Sequence, residues 1–440
     1  MKKNLKKKLS SLIVILVMLS SISTLAFNAD EQSMRDTGDV VNVSVDQDSN
    51  DMLQLYNELM LKVESMPVKT SRTVFSNPNI LPEYQKIYPD NFAGIYQDGE
   101  EMVLNIVNQD QSMFSSQSFS NDTIEKNTLK TIAISEEAKL GEVKYSLNDL
   151  NQTMGILQLY VDNQVSTGIV YIARDIINNQ IEIGINNISE NERNNILNIL
   201  KDANMIKFEE VEYSPDEPPQ EERIEETIET LEKYELNTGL STMAKASTKI
   251  GRGDELYVIK DVIGSTKYIS TFSLGYGVYS SKYEGLGFFT TGHMTLSPDR
   301  ADKWNVYHRS TGTYVGKIKL WNAGAGNTNR DFAFVLLNDN VTTTEYSGYY
   351  NVFDGMQVKK YGKTTGTTSG IVERSSVKFS DGKYDFASAT YKSDSGDSGG
   401  GIFYGNSPAG LHKGRYTKKS DSKEYAYFTK SANIASKIAR

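Results

Sequence analysis

The 440-residue chain contains no cysteine. That absence excludes a thiolate nucleophile, a cysteine-held zinc site, a lipidated cysteine and any disulfide. Histidine is nearly as scarce, with only His293, His308 and His412, and no His-Glu-x-x-His pattern links two of them. A zinc peptidase is therefore disfavoured, and no metal or cofactor is expected. Apolar runs long enough to cross a bilayer, about 20 residues, are also missing. The one notable run, Leu12 to Leu19, follows five lysines within Met1 to Lys8 and ends in small residues near Thr24-Leu25-Ala26. This is the pattern of a secretory signal over residues 1–26, so a secreted, extracellular protein is expected, without membrane association after signal removal.

What the chain does have is a hidden charge asymmetry. The net charge is −9, yet residues 249–440 hold 26 basic and 17 acidic residues, and residues 27–248 hold 16 basic and 39 acidic ones. Opposite fields on two parts of one chain favour their association. Nothing in this balance suggests a nucleic-acid partner.

Organisation follows from the same boundaries. Residues 27–50 are polar and acidic. From Asp51, the spacing of Met52, Leu55, Tyr56, Leu59, Met60 and Val63 predicts a helix face, and Pro67, Pro78, Pro82 and Pro89 then interrupt long elements. A compact α+β part is expected at about 140–213: strands over 168–173 and 180–185, a helix over 190–204 opened by Ser189 and Glu192, and a strand over 205–213. Pro215, Pro218 and Pro219 begin an acidic linker, 214–248, read as helical over 221–236. From Ile250 onward, short runs rich in Val, Tyr, Thr and Gly predict an antiparallel β architecture, with a last helix over 431–439.

Three segments carry chemistry. Thr290-Thr291-Gly292-His293 offers a base, Asp331-Phe332-Ala333 a carboxylate, and Gly396-Asp397-Ser398-Gly399-Gly400 a serine on a tight turn. A serine hydroxyl is a poor nucleophile unless a neighbouring base takes its proton, and imidazole, with a reference pKa of about 6.5, suits that task near neutrality. A carboxylate then orients the imidazole; Asp331 is the first choice, with Asp302 and Asp354 as alternatives.

These segments, with Phe272 to Tyr276, Phe288-Phe289, Asn329-Arg330, Tyr361-Gly362-Lys363-Thr364-Thr365-Gly366 and Ser369 to Val372, resemble the chymotrypsin-like serine proteases of the bacterial streptogrisin and α-lytic type. The resemblance covers about residues 250–440. It implies a mainly β fold, two antiparallel six-stranded β-barrels, preceded here by the α+β segment. It also implies a trypsin-like protease domain over 249–440 with a catalytic triad of His293, Asp331 and Ser398, and an oxyanion hole from the N–H groups of Gly396 and Ser398. Asp397 should then turn inward toward a cation, for which Lys363 stands at the family's arginine position. Where relatives place a disulfide beside the histidine, this chain has Phe272 and Met294, and a second family disulfide is missing as well.

Gly410-Leu411-His412-Lys413-Gly414 resembles the pocket strand of glutamyl endopeptidases. Ser393, His412, Lys413 and Gly414 are the implied substrate-binding residues, giving a preference for Glu, or Asp, before the scissile bond; broader specificity and an inactive protease-like binding module are the other readings. Residues 27–248 are expected to be a pro-region, an intramolecular inhibitor or folding aid, whose part near 166–213 resembles the pro-regions of the family. Removal is expected between Leu236 and Ile250, with cuts after Glu235, Lys245 or Lys249 considered.

Overall fold

Short runs become strands in the second half of the chain either because every second side chain must leave water, as over 357–362, or because both faces are covered, as over 401–404. The structure, a computed structural model, describes residues 47–68, 77–108, 119–163, 168–213, 221–225, 248–263, 266–293, 304–322, 331–346, 349, 351–380, 385–435 and 437. The signal-like segment, Met294, Asp302, Asn329 and Arg330 and all three considered cleavage positions except Lys249 lie outside these. Among the described residues, no helix is long and apolar enough to cross a membrane.

Strands β1 (Phe92–Asp98), β2 (Glu101–Val107) and β3 (Lys139–Val143) form a small sheet, flanked by helices α1 (Gln47–Glu64), α2 (Phe119–Ser135) and α3 (Leu147–Asn163). β4 (Ile169–Asp175), β5 (Gln180–Ile185), α4 (Glu190–Asn198) and β6 (Ile206–Tyr213) follow. Ser189 caps α4 by accepting the Glu192 N–H at 3.2 Å, as expected, but the helix ends early and Asp202 opens a separate short turn. The α+β packing also starts earlier than the sequence suggested, at α1. Leu53, Leu59 and Val63 of α1 share one apolar core with Phe92, Leu150, Ile183, Val358, Ile402 and Phe428. Residues 46–440 accordingly form one compact unit.

The second half begins with β8 (Thr248–Ile250), β9 (Glu255–Ile263), β10 (Thr266–Ser273), β11 (Tyr276–Ser280), β12 (Gly285–Thr290), β13 (Asn305–His308), β14 (Tyr314–Asn322), β15 (Phe332–Leu337) and β16 (Val341–Thr343). Seven of these join in one antiparallel series, β11-β12-β15-β14-β13-β9-β10, while β8 pairs in parallel with β16. The series curls about a core of Val258, Phe272, Phe288, Val306, Ile318 and Val335. Phe272, which stands where a cysteine was implied, is fully buried in it. That burial is worth about 1.5–3 kcal/mol, comparable to a disulfide of about 2–4 kcal/mol, although the covalent constraint is lost.

The third group is β17 (Gln357–Gly362), β18 (Gly366–Phe379), β19 (Asp385–Ala389), β20 (Gly401–Tyr404), β21 (Ser407–Lys418) and β22 (Lys423–Lys430). They pair in the order β17-β20-β21-β22-β19-β18, and β17 pairs again with β18, closing a six-stranded antiparallel ring. Among the described residues, hydrogen-bonded pairing closes this one ring. In the first series a break at Leu274-Gly275 separates β10 from β11, and Gly275 N–H bonds to Phe289 instead.

Three pairings join the acidic half to the basic half, two of them to the ring. β4 lies antiparallel to β18, and β6 antiparallel to β21, so the three-stranded β4-β5-β6 unit spans two strands of the ring. At this junction Arg374 meets Asp175 at 2.8 Å and Glu182 at 3.1 Å, and Lys418 meets Glu182 at 2.8 Å. Neither of these strand pairings was expected from sequence, which offered only association by opposite charge. Strand β7 (Glu221–Glu225) adds to the free edge of β10, in place of the helix expected over 221–236; the unpaired N–H and C=O groups of a sheet edge are a template for an added strand.

Candidate active site

Each chemical segment sits where a strand stops. His293 follows the end of β12, Asp331 precedes β15, and these two strands are hydrogen-bonded neighbours with Thr290 opposite Ala333. That register delivers the acid to the base. Asp331 Oδ2 lies 2.7 Å from His293 Nδ1, and Oδ1 accepts the backbone N–H groups of His293 at 2.8 Å and Gly292 at 3.1 Å. Thr291 Oγ1 donates to Oδ2 at 3.0 Å. Asp331 adopts a left-handed backbone, φ 47°, which Asp tolerates better than most residues. Its carboxyl is buried, which alone would raise its pKa, but the charge and hydrogen bond of His293, the charge of Lys413 and the backbone donors outweigh burial and hold it well below the usual range. It is therefore an ionised acceptor that fixes the imidazole. Asp354, the described alternative, caps Ser375 N–H at 2.6 Å and Ile176 N–H at 3.1 Å, at the junction with the acidic half.

Ser398 lies on the turn between β19 and β20. Gly396 and Gly399 have φ of 94° and 84°, values that glycine reaches without a steric penalty. The turn is sewn to its surroundings on both sides. Ser273 N–H donates to Ser398 O at 2.9 Å, and the Ser273 hydroxyl donates to Gly396 O at 3.0 Å. Gly399 N–H donates to His412 O, also at 2.9 Å. A side chain at Gly399 would collide with Thr290 Oγ1 and Thr291 N, so the serine turn abuts the loop that carries His293. The Ser398 hydroxyl donates to Lys413 O at 3.3 Å. Among the described residues, neither the Gly396 nor the Ser398 N–H has an acceptor within the chain.

The expected Lys363–Asp397 pair is not formed. Lys363 Nζ bonds instead to Glu255 and to Thr271, both at 2.7 Å. The cation at Asp397 is Lys360, 2.6 Å away, with both side chains fully buried. β17 explains the exchange: its alternation puts Val358, Lys360 and Gly362 on the inner face, whereas Lys363 lies beyond the strand end. That period of two was legible in the sequence and was the missed signal. Asp397 also accepts Thr364 N–H at 2.8 Å, Thr365 N–H at 3.1 Å, Thr365 Oγ1 at 2.5 Å and Asp394 N–H at 3.1 Å. Burial opposes its ionisation, but Lys360 and Thr365 prevail and lower its pKa. Burial likewise pulls Lys360 down against Asp397's attraction; with five donors on the carboxylate, the ionised pair is the state that satisfies both groups.

The pocket residues are brought together in part. Arg415 donates to Ser393 O at 3.2 Å, tying the segment before the serine turn to β21. Ser393 Oγ is buried without a hydrogen-bond partner among the described residues. His412 is buried, with Nδ1 at 3.0 Å from the Tyr391 hydroxyl, and burial foremost, aided by the charges of Lys360, His293 and Arg415, pulls its pKa down to about 3 against Asp397. The imidazole is therefore neutral. Lys413 faces the site with its carbonyl, while its ammonium lies 5.0 Å from the Phe386 ring centre. A side chain at Gly414 would crowd the Tyr427 ring.

No protein-family profile and no curated protein matches the chain. Solved structures do. Protease A of Thermobifida fusca matches at 20% identity, covering 43% of this chain and 96% of its own, with a TM-score of 0.32. Nocardiopsis protease matches at 18% identity, covering 43% and 97%, with a TM-score of 0.32. A glutamic acid-specific serine protease, described as using a histidine triad in substrate binding, matches at 22% identity, covering 43% and 97%, with a TM-score of 0.33.

Proposed function

We propose that the chain is the precursor of a secreted serine endopeptidase that acts through His293, Asp331 and Ser398. The observation that carries this reading is the buried, ionised Asp331 bonded to His293, beside a serine turn whose Gly396 and Ser398 N–H groups have no acceptor among the described residues. Unsatisfied donors are retained where a charge is due to develop.

In the reaction, the Ser398 hydroxyl rotates from the Lys413 carbonyl toward His293 as substrate arrives; triad contacts commonly tighten only in the complex. His293 Nε2 takes the hydroxyl proton as Oγ attacks the peptide carbonyl. Asp331 holds the Nδ1 proton and balances the imidazolium. The Gly396 and Ser398 N–H groups receive the oxyanion, each worth about 3–4 kcal/mol of transition-state stabilisation. The imidazolium then protonates the departing amine, leaving an acyl-enzyme. Water, deprotonated by His293, releases the acid and regenerates Ser398.

Glu before the scissile bond is the preferred substrate on this reading. The Ser393 hydroxyl, unpartnered among the described residues, and the Nε2 edge of His412 supply donors to a carboxylate, and hydrogen bonds to an ionised acceptor are stronger than those to a neutral one. Residues 27–248 act as the pro-region. Support comes from β4-β5-β6 pairing to the ring and from the Arg374–Glu182–Lys418 junction, contacts suited to an intramolecular folding aid or inhibitor. Maturation cuts before Thr248, because β8 pairs with β16 and buries Ile250. Fluorophosphonate labelling of secreted wild type beside Ser398→Ala tests the enzyme, and a peptide library tests the pocket. Equal labelling of both proteins refutes the triad; equal cleavage after Glu, Leu and Phe refutes the acid preference.

A further inference from the structure

The hydroxyl of Tyr391 and the imidazole of His412 form an isolated buried couple. Tyr391 is 1% and His412 3% exposed, their rings meet edge-on with centres 5.6 Å apart, and the phenol oxygen lies 3.0 Å from Nδ1. Either group could donate across that contact. The inventory decides. Among the described residues, Nδ1 is the phenol's sole acceptor, so a proton on Nδ1 would leave a buried O–H with nowhere to go. Burial keeps the phenol protonated. Tyr391 must therefore donate, which leaves Nδ1 unprotonated and puts the ring proton on Nε2, the nitrogen without a partner among the described residues.

We propose that Tyr391 is a positioning residue for specificity: it locks His412 in the Nε2–H tautomer, so that a neutral imidazole presents a fixed donor to the carboxylate of a Glu substrate. The inference rests on the acid-pocket reading above. It adds a residue that touches no substrate and a reason why a histidine unable to charge still selects an acid. Without the lock, the imidazole would divide between tautomers, and the Nδ1–H form would turn a lone pair toward the substrate carboxylate.

Two measurements test it. In the full chain carrying Ser398→Ala and 15N-labelled histidine, the His412 ring should show a protonated Nε2 and a bare Nδ1; a protonated Nδ1 overturns the proposal, and this needs no change at Tyr391. In secreted active enzyme, Tyr391→Phe should raise KM for a Glu peptide about tenfold, with kcat nearly constant, and change kcat/KM for a Leu peptide less than about twofold. In a His412→Gln background, whose amide needs no tautomer lock, Tyr391→Phe should add nothing. Equal losses for Glu and Leu peptides, or the same loss in the His412→Gln background, overturn the proposal as well. If wild type fails to prefer Glu while the Nε2–H form is seen and Tyr391→Phe abolishes it, the pocket reading falls and the lock stands.

Discussion

The two β halves of this molecule hold their key groups in different ways. The curled series β7–β15 buries a largely apolar core and one carboxylate of the proposed site, Asp331, which the register of β12 against β15 delivers to His293. The closed ring β17–β22 buries charge repeatedly: Lys360 with Asp397 inside, and Arg374 and Lys418 with Asp175 and Glu182 where the acidic half docks. The first half can thus be assembled by burial alone, whereas the second needs particular partners, two of which lie before residue 214. A ring built this way depends on the acidic half more than the curled series does.

That contrast can be broken at several points. The largest effect is expected at the site where the halves meet. Ser398→Ala should lower kcat about a million-fold, and Asp331→Asn about ten-thousand-fold, while urea unfolding midpoints change little. A large loss of stability in either variant would mean that these residues hold the fold instead of the chemistry. Next, Glu182→Gln should destabilise the full chain by about 3–5 kcal/mol in urea, because Arg374 and Lys418 lose a shared buried carboxylate. A cost no larger than that of an exposed pair would remove the ring's dependence on its docked strands.

Within the ring itself, Lys360→Met should cost several kcal/mol by stranding the Asp397 charge, about 3–5 on the same grounds, and Lys363→Met about 1 kcal/mol or less. Equal costs would show that the two lysines exchange roles. The smallest effect is on acidification. Burial would raise the pKa of Glu182, but Arg374, Lys418 and Tyr171 hold it at about 2. Its contribution is therefore complete above the ordinary glutamate range and is lost as pH falls toward 2. The stability gap between wild type and Glu182→Gln should be constant from pH 7 to about 5 and shrink below about 4. A gap that instead opens on acidification would mean that the network is a proton-driven latch.

Much of this is legible in the sequence alone. β5, β15 and β20 fall where alternating or apolar runs between turn residues put them, and Ser189 caps α4 as its spacing with Glu192 implies. The misreadings share a cause. The acid-rich 221–225 segment looked helical because local composition carries no information about a free edge on β10. Lys363 was chosen for Asp397 by its place in a motif, when strand parity, a geometric property, selects Lys360. Tyr391 gave no signal, since an aromatic residue before Ser393 reads as ordinary core. The small sheet β1–β3 went unread behind the four prolines that precede it, Pro67 to Pro89.

By itself, then, the sequence determined which groups exist and in what order: a lone histidine after a strand, an acid before the next, a serine between glycines, no thiol, and opposite charge on its two parts. Those are local properties, set by residue type and spacing. Only the tertiary structure decided that Asp397 packs against the inner face of β17, that His412 is buried away from water, and that the acidic half adds three strands to the ring. Each of these depends on what is removed from water together, and burial is a property of distant segments packed against one another, which no single stretch of chain encodes.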